Sequence, residues 1–334
     1  MKIAVFRALQ LGDLLCAVPA LRALDHAYPA AHVSLIALPW ARELAGRLPY
    51  IDEFIGFPGF PSMPERPPDM AAIPAFFSTM REREFDLAIQ LHGSGELTNA
   101  LTMLMGARRS AGHYRSGDYR PDPESFFEWR DAEHEVLRWV RLMERLGIAP
   151  RGTQLEFPLR EQDWQGWRAL RLQNYAVIHP GSQLPSRRWP AERFAEVGDA
   201  LAAEGLAVVL TGTSGERPLV HQVQQRMREP ALDLAGRTTL GTLAAVIARA
   251  RLLVCNDTGV SHIAAALKTP SVVVACGSDP KRWAPLNRDL HRVLWHDVAC
   301  RPCAYRECPI GHDCALGVPA RQVIRETTRL ACAA

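Results

Sequence analysis

Four stretches of the chain hold side chains whose types and spacing suit chemistry. Gly12-Asp13 stands where the apolar run "KIAVFRAL" gives way to "DLLCAVPALRALDHAY". A carboxylate at such a turn either caps backbone N–H groups of a helix or serves as a base at the end of a strand. In "HPGSQLPSRRWP" (179–190), a glycine lets backbone N–H groups approach an anion, Ser182 adds a hydroxyl, and Arg187 or Arg188 adds a charged fork. The same residues also suit an ordinary strand-to-helix loop. "CNDTGVSHIAAALKTP" (255–270) repeats that form, with Asp257-Thr258-Gly259 at the turn. Asp257 there reads as an N-cap. It would repel a phosphate on the same helix end, so its other reading is a group that faces sugar hydroxyls. His262 lies off the apolar stripe of Val260, Ile263, Ala264 and Leu267, and faces either a ligand or a structural partner.

The fourth stretch is "CRPCAYRECPIGHDC", which crowds Cys300, Cys303, Cys308 and Cys314, half of the 8 cysteines, into one loop. In a cytoplasmic chain the spacing suits a structural zinc knot or reduced thiols rather than disulfides. Cys16, Cys255, Cys276 and Cys332 are scattered and read as small apolar residues. Several familiar signatures fail. No Walker loop or HExxH occurs, and "GSGELT" (93–98) lacks the third glycine of a dinucleotide fingerprint, so nicotinamide binding is disfavoured.

The elements that must position these residues follow from hydrophobic patterning. "KIAVFRAL", "HVSLIAL" and "FDLAIQL" read as buried strands, and the first two flank a helix that Pro19 would kink, or that becomes regular only from about that residue. The proline-rich segment from Pro58 to Pro74 reads as an ordered loop or lid. After polar, Trp-containing sequence near 150–174, a second series runs through "YAVIHPGS", "AERFAEVGDALAAEG", "LAVVLTG", "ERPLVHQVQQRM", "ALDLAG", "TLGTLAAVIARA", "RLLVCND", "GVSHIAAALK" and "PSVVVACG". Strands alternating with helices at this spacing imply α/β structure with a parallel, doubly wound sheet.

Composition sets the outer bounds. At 334 residues the chain exceeds what one core usually organises, so two domains are expected. A net charge of +3 does not point to nucleic acid as a partner. No apolar run is long enough for a membrane span, and the N-terminus lacks the features of a signal peptide, so a cytoplasmic location is expected.

Taken together, "LGD" after the first strand, "HPGS…RRWP", "TGTSGE" and "NDTGVSHIAAAL", in that order, resemble the glycosyltransferase family 9 pattern of lipopolysaccharide heptosyltransferases. The resemblance covers nearly the whole chain. It implies the GT-B architecture, two Rossmann-like doubly wound domains facing a central cleft: an acceptor domain at 1–165, a nucleotide-sugar domain at 166–317, and a C-terminal helix in 318–334 that packs back on the first domain. It implies Asp13 as general base and Arg187, where the family often has lysine, as the residue that holds the donor diphosphate. Glu216 falls near the nucleotide ribose, and Asp257, Thr258, Gly259 and His262 form the donor-sugar and diphosphate loop. Gly181 and Ser182 belong to the phosphate loop, and Arg7 lies near the acceptor.

The implied reaction is inverting transfer of a heptose or related sugar from an ADP-sugar, with ADP-heptose as donor, to a lipopolysaccharide core acceptor. The alternatives are a nucleotide-sugar epimerase, which would need further carboxylates, and a nucleotide-sugar-binding module that has lost catalysis, against which Asp13 stands. The resemblance implies no cofactor for catalysis, and structural zinc on Cys300, Cys303, Cys308 and Cys314 is the one metal the residues suggest. The acceptor is a lipid-linked saccharide, met by peripheral contact at the cytoplasmic face of the inner membrane. Arg115 and Arg120, with Arg108, Arg109 and the loop Phe57–Phe77, are the candidate acceptor and membrane surface, or else a solvated face.

Overall fold

In this computed structural model, which describes residues 1–333, the two series of apolar runs fold as two units, Met1–Leu155 and a second from Glu156 on. The first contains β1 (Lys2–Phe6), α1 (Leu11–Ala27), β2 (His32–Ala37), α2 (Arg42–Ala45), β3 (Glu53–Gly56), α3 (Ala72–Glu82), β4 (Leu87–Gln90), α4 (Thr98–Leu104), β5 (Arg109–Tyr114), β6 (Phe126–Glu128) and α5 (Glu135–Arg145). The second contains α6 (Glu161–Ala169), β7 (Tyr175–His179), α7 (Ala191–Ala203), β8 (Ala207–Leu210), α8 (Arg217–Arg226), β9 (Ala231–Asp233), α9 (Leu240–Ala248), β10 (Leu253–Asn256), α10 (Gly259–Leu267), β11 (Ser271–Val274), α11 (Pro280–Trp283), β12 (His291–Leu294), α12 (Asp313–Leu316) and α13 (Ala320–Ala333).

Each unit holds a six-stranded, all-parallel sheet, in the orders β3-β2-β1-β4-β5-β6 and β12-β11-β10-β7-β8-β9. Helices cover both faces, so the central strands are buried on both sides and read as unbroken apolar runs. In both sheets the chain winds outward from a central pair, β1 with β4 and β7 with β10. The crevice at the carboxyl ends of such a pair is where doubly wound sheets bind ligands.

One face of the first sheet is filled by Phe6, Ile36, Phe57, Met63, Phe77, Met80, Phe85 and Leu101. The other is covered by α1 and α5, which pack together. α1 begins at Leu11 and runs through Pro19 without a break, although Pro19 has no N–H to give the preceding turn. Two expectations for this unit are corrected. Phe57, Met63 and Phe77 are core residues rather than an exposed apolar surface; of the large apolar side chains from 57 to 77 only Met70, at 62%, is exposed. The arginine-rich stretch from 109 on is strand β5, with Ser110, Ala111 and His113 buried.

Two boundaries also move. Residues 156–165 belong to the second unit because α6 packs on α9: a Cβ at Gly166 would lie 2.4 Å from Thr242 Oγ1, and Trp167 Nε1 donates to the Tyr175 hydroxyl at 3.0 Å. α13, expected on the first domain, packs on α7 and β11 and buries Val323 and Leu330 in the second unit's core. Ala334 lies outside the described residues. No helix among the described residues is long and apolar enough to cross a membrane.

Candidate active site

In the first unit, β1 delivers the chain to a short turn, and α1 follows with Asp13 as its third residue. Asp13 is half-buried, and its Oδ2 accepts the Gln10 N–H at 3.2 Å, closing a capping box. This bond fixes the carboxylate at the crevice end of β1. The turn itself is held by Arg7, which is 1% exposed. Its Nε donates to the Asp13 carbonyl at 2.6 Å, its other nitrogens to the Leu91 carbonyl and to Glu135 Oε1, the latter at 3.2 Å, and its guanidinium lies 4.7 Å from the Trp139 ring centroid. Glu135 is buried as well, and also accepts from Arg138 at 2.8 Å and from Trp139 Nε1 at 3.0 Å. Arg7, expected at the acceptor, is therefore a buried brace of the Asp13 turn, because every face of its guanidinium is used internally.

Arg115 and Arg120 are likewise engaged within the chain. Arg115 forms a two-pronged pair with Asp131 at 3.2 and 3.1 Å, and the Trp129 indole N–H together with this guanidinium lowers the Asp131 pKa against the opposing effect of burial. Arg120 donates to the carbonyls of Pro123 and Phe126 and stacks on Tyr114 at 4.8 Å. Both pin the connection between β5 and β6.

In the second unit, the loop after β7 and the turn after β10 meet at the central strand pair. Asn256, fully buried at the end of β10, donates to the Pro180 carbonyl at 2.7 Å and accepts the Trp189 N–H at 2.9 Å. One side chain thus clamps both ends of the loop that carries Gly181, Ser182 and Arg187. Gly181 lets the Glu216 carboxylate lie over the loop: a Cβ there would come 2.2 Å from Glu216 Oε1 and push that side chain away. Glu216 is held in turn by the N–H and hydroxyl of Thr213, at 2.8 and 2.9 Å. Ser182 is buried, and its carbonyl accepts from Arg188 Nε at 2.8 Å. His179, at the end of β7, is buried against Thr211 at 3.0 Å; burial lowers its pKa, opposed by Glu216.

The N-cap of α10 is Thr258, not Asp257. Asp257 is thereby released from capping. Burial raises its pKa, while the Ser278 hydroxyl, Arg187 and Arg301 pull it down and Asp279 adds to the rise. Arg187 donates one bond to the Cys303 carbonyl at 3.2 Å, and its Nε is buried with no partner. Arg301 donates to the carbonyls of Ala275, Ser278 and His296, and its Nε is likewise unpartnered. Two guanidiniums beside one costly carboxylate, near the N-terminal N–H groups of α10, form an environment for an anion with hydroxyl groups attached. His262 is buried, edge-on to Trp283 at 6.4 Å, so the structural reading of this histidine fits its packing.

Sequence reasoning missed Asn256 and Arg301. Both lay inside stretches already singled out, but their roles depend on carbonyls far along the chain.

The expected zinc centre is not assembled: among the described residues no three His, Cys, Asp or Glu side chains are placed to hold a metal ion. Cys300, Cys308 and Cys314 line one cavity, and the Cys314 thiol senses the other three, without the four forming a ligand set. The Cys303 N–H bonds to the Gly277 carbonyl at 2.7 Å, whereas Cys314 is buried in the second unit's core. The loop braces the segment that carries Arg187, with Ser186 bonded to Tyr305 and Arg306 and its carbonyl bonded to His312 at 2.8 Å.

Residues 73–313 match the family model "Glycosyltransferase family 9 (heptosyltransferase)". The chain is 27% identical over 309 residues to lipopolysaccharide heptosyltransferase 2 of Escherichia coli, covering 86% of each, and 26% identical over 340 residues to lipopolysaccharide heptosyltransferase 3 of the same species, covering 96% and 95%. Among solved structures it superimposes on a family 9 glycosyl transferase of Veillonella parvula with a TM-score of 0.81 at 23% identity, covering 100% and 98% of the two chains. It also superimposes on E. coli ADP-heptose heptosyltransferase II, with a TM-score of 0.78 at 23% identity and 99% of each covered. These likenesses show the GT-B fold.

Proposed function

We propose, for a chain that belongs to glycosyltransferase family 9 and is a glycosyltransferase, that it moves a heptose from ADP-heptose to a saccharide of the lipopolysaccharide core with inversion at the anomeric carbon. The observation that carries this reading is the second unit's pair of guanidiniums, each with an unpartnered buried Nε, beside an Asp257 freed from its helix cap. A departing diphosphate gains charge as the sugar bond breaks, and fixed positive charge with N–H donors stabilises that change. Asp257 accepts hydroxyls of the sugar, and Glu216, held over Gly181, accepts those of the ribose. The names of the matched relatives support the heptose and the lipopolysaccharide acceptor.

Asp13 is the base for the acceptor hydroxyl. A carboxylate is a weak base for an alcohol, so the proton moves late, as the new sugar–oxygen bond forms. A single displacement inverts the anomeric carbon. Because the acceptor is lipid-linked, the encounter takes place at a membrane surface, the cytoplasmic face of the inner membrane, by peripheral contact. Pelleting with anionic vesicles tests that contact, and its absence overturns it.

The reaction is tested with ADP-heptose and deacylated lipopolysaccharide from a strain deleted for this chain. The expected result is acceptor-dependent ADP release and a product heavier by one heptose of inverted configuration. Absence of ADP release with both substrates present overturns the reading.

A further inference from the structure

A second carboxylate stands at the crevice end of the first sheet, brought there from a distant loop. His92, two residues past β4, is 6% exposed, and its ring stacks on Phe6 of β1 at 5.2 Å and an interplanar angle of 17°. Its Nδ1 accepts the Ala8 N–H at 3.2 Å, so the histidine ties down the turn that carries Asp13. A ring nitrogen that accepts from a backbone N–H carries no proton, which places the proton of the neutral ring on Nε2. Nε2 lies 3.7 Å from Glu65 Oε1, and the Glu65 side chain is only 16% exposed. Glu65 belongs to the segment between β3 and α3, which Phe57 and Met63 anchor in the core and the Arg66 bond to the Phe57 carbonyl at 3.3 Å helps hold.

Glu65 is incompletely satisfied at both oxygens. Its Oε2 is buried with no hydrogen-bond partner, and 3.7 Å to the imidazole is longer than a hydrogen bond. Burying such an oxygen empty is unfavourable, and native structures normally fill it. With Oε2 buried, Oε1 is the oxygen left to accept a hydroxyl, whereas a phosphate would be repelled. We infer that Glu65 is a hydroxyl-binding residue for the acceptor saccharide, and that His92 is the positioning residue that aims it at the crevice of β1 and β4. The inference rests on the reading above of Asp13 as the acceptor's base, and deepens it: the acceptor is held by its hydroxyls on the side of the Asp13 turn where β4 ends.

The test uses the full chain with ADP-heptose as donor and deacylated lipopolysaccharide from a deletion strain as acceptor. Glu65→Gln keeps the side chain's size and removes its charge, and raises the acceptor KM by roughly tenfold or more. Donor KM, and kcat at saturating acceptor, stay within about twofold of wild type. His92→Asn leaves an oxygen near the Nδ1 position for the Ala8 N–H while removing Nε2, and shifts the acceptor KM in the same direction by less. A purely structural role would instead move donor KM, acceptor KM and the thermal midpoint together, and that pattern overturns the inference. So does an unchanged acceptor KM. Should Glu65→Gln fail to fold, Glu65→Asp is expected to give an intermediate rise in acceptor KM, and wild-type kinetics in that variant overturn the inference equally. Transfer by wild type with no effect of these variants defeats this inference alone, whereas no transfer by wild type defeats the reading of the reaction.

Discussion

The two sheets share one strand order, yet their central strand pairs are furnished in opposite ways. In the first, the cation is spent inside the protein: Arg7 is closed off by Glu135, the Leu91 carbonyl and Trp139, and the groups left towards the crevice are carboxylates, Asp13 and Glu65. In the second, cations stand beside a carboxylate: Arg187 and Arg301 each keep an unpartnered buried Nε and pull on Asp257, whose pKa burial nevertheless raises. A surface of carboxylates suits hydroxyl groups that must lose a proton, and one of guanidiniums and helix N–H groups suits a diphosphate that must gain charge. On the function proposed above, the shared topology supplies one crevice for each substrate, and side-chain charge divides the labour between them.

The largest expected effect tests the acidic half. Asp13→Asn should lower kcat by about 10²–10⁴-fold with donor affinity unchanged, read by steady-state kinetics and ADP titration, because a positioned base contributes that much. Next comes the brace beneath it: Glu135→Ala leaves Arg7 and Arg138 as buried charges short of a partner and should lower stability by about 3–5 kcal/mol in denaturant unfolding. A loss below about 1 kcal/mol would show that the Arg7 network does not hold the Asp13 turn. Arg187→Ala tests the cationic half, and should weaken ADP-heptose binding and kcat together by on the order of 10²-fold in kcat/KM while sparing the acceptor KM. A change confined to acceptor KM would reverse the assignment of the two halves.

Each unit also carries a buried histidine whose pKa falls from 6.5 to about 4 through burial, His113 in the first and His291 in the second. The unfolded chain binds a proton near pH 6.5 and the folded chain only near 4, so stability is full above the upper value and is lost as pH falls between them. At most roughly 3 kcal/mol per histidine is at stake. His291→Gln should flatten this acid slope in thermal unfolding, and an unchanged slope would remove the residue from the account. The smallest effect is expected at Arg115→Ala, whose exposed pair with Asp131 contributes under about 1 kcal/mol, and acceptor KM should stay within threefold.

Much of this was legible in the chain. The central strands of both sheets are buried on both faces, which forces unbroken apolar runs that no loop would carry, and the turns after β1, β7 and β10 show their glycines and acids beside those runs. The strands β3, β5, β6 and β12 were not read: β3, β6 and β12 are short and partly exposed and carry little hydrophobic signal, and in β5 polar Arg109, Ser110 and His113 interrupt the apolar run. Sequence therefore determined the α/β class, the presence of two doubly wound units, and Asp13, Gly181, Arg187, Glu216 and Asp257 as the residues to examine. Tertiary structure alone decided which arginines face a site. Arg7, Arg115, Arg120 and Arg187 are the same residue type, and what separates a brace from a candidate binding group is whether distant carbonyls and carboxylates, such as Leu91 for Arg7 and Asp131 for Arg115, already fill its fork, whereas Arg187 makes one bond, to the Cys303 carbonyl. Likewise, Glu65 meets His92, and Asn256 spans from Pro180 to Trp189, only because parallel strands bring residues far apart in the chain to one edge of a sheet. Hydrogen bonding and burial are satisfied in space, so a residue's partners, and with them its role, are set only once the chain has folded.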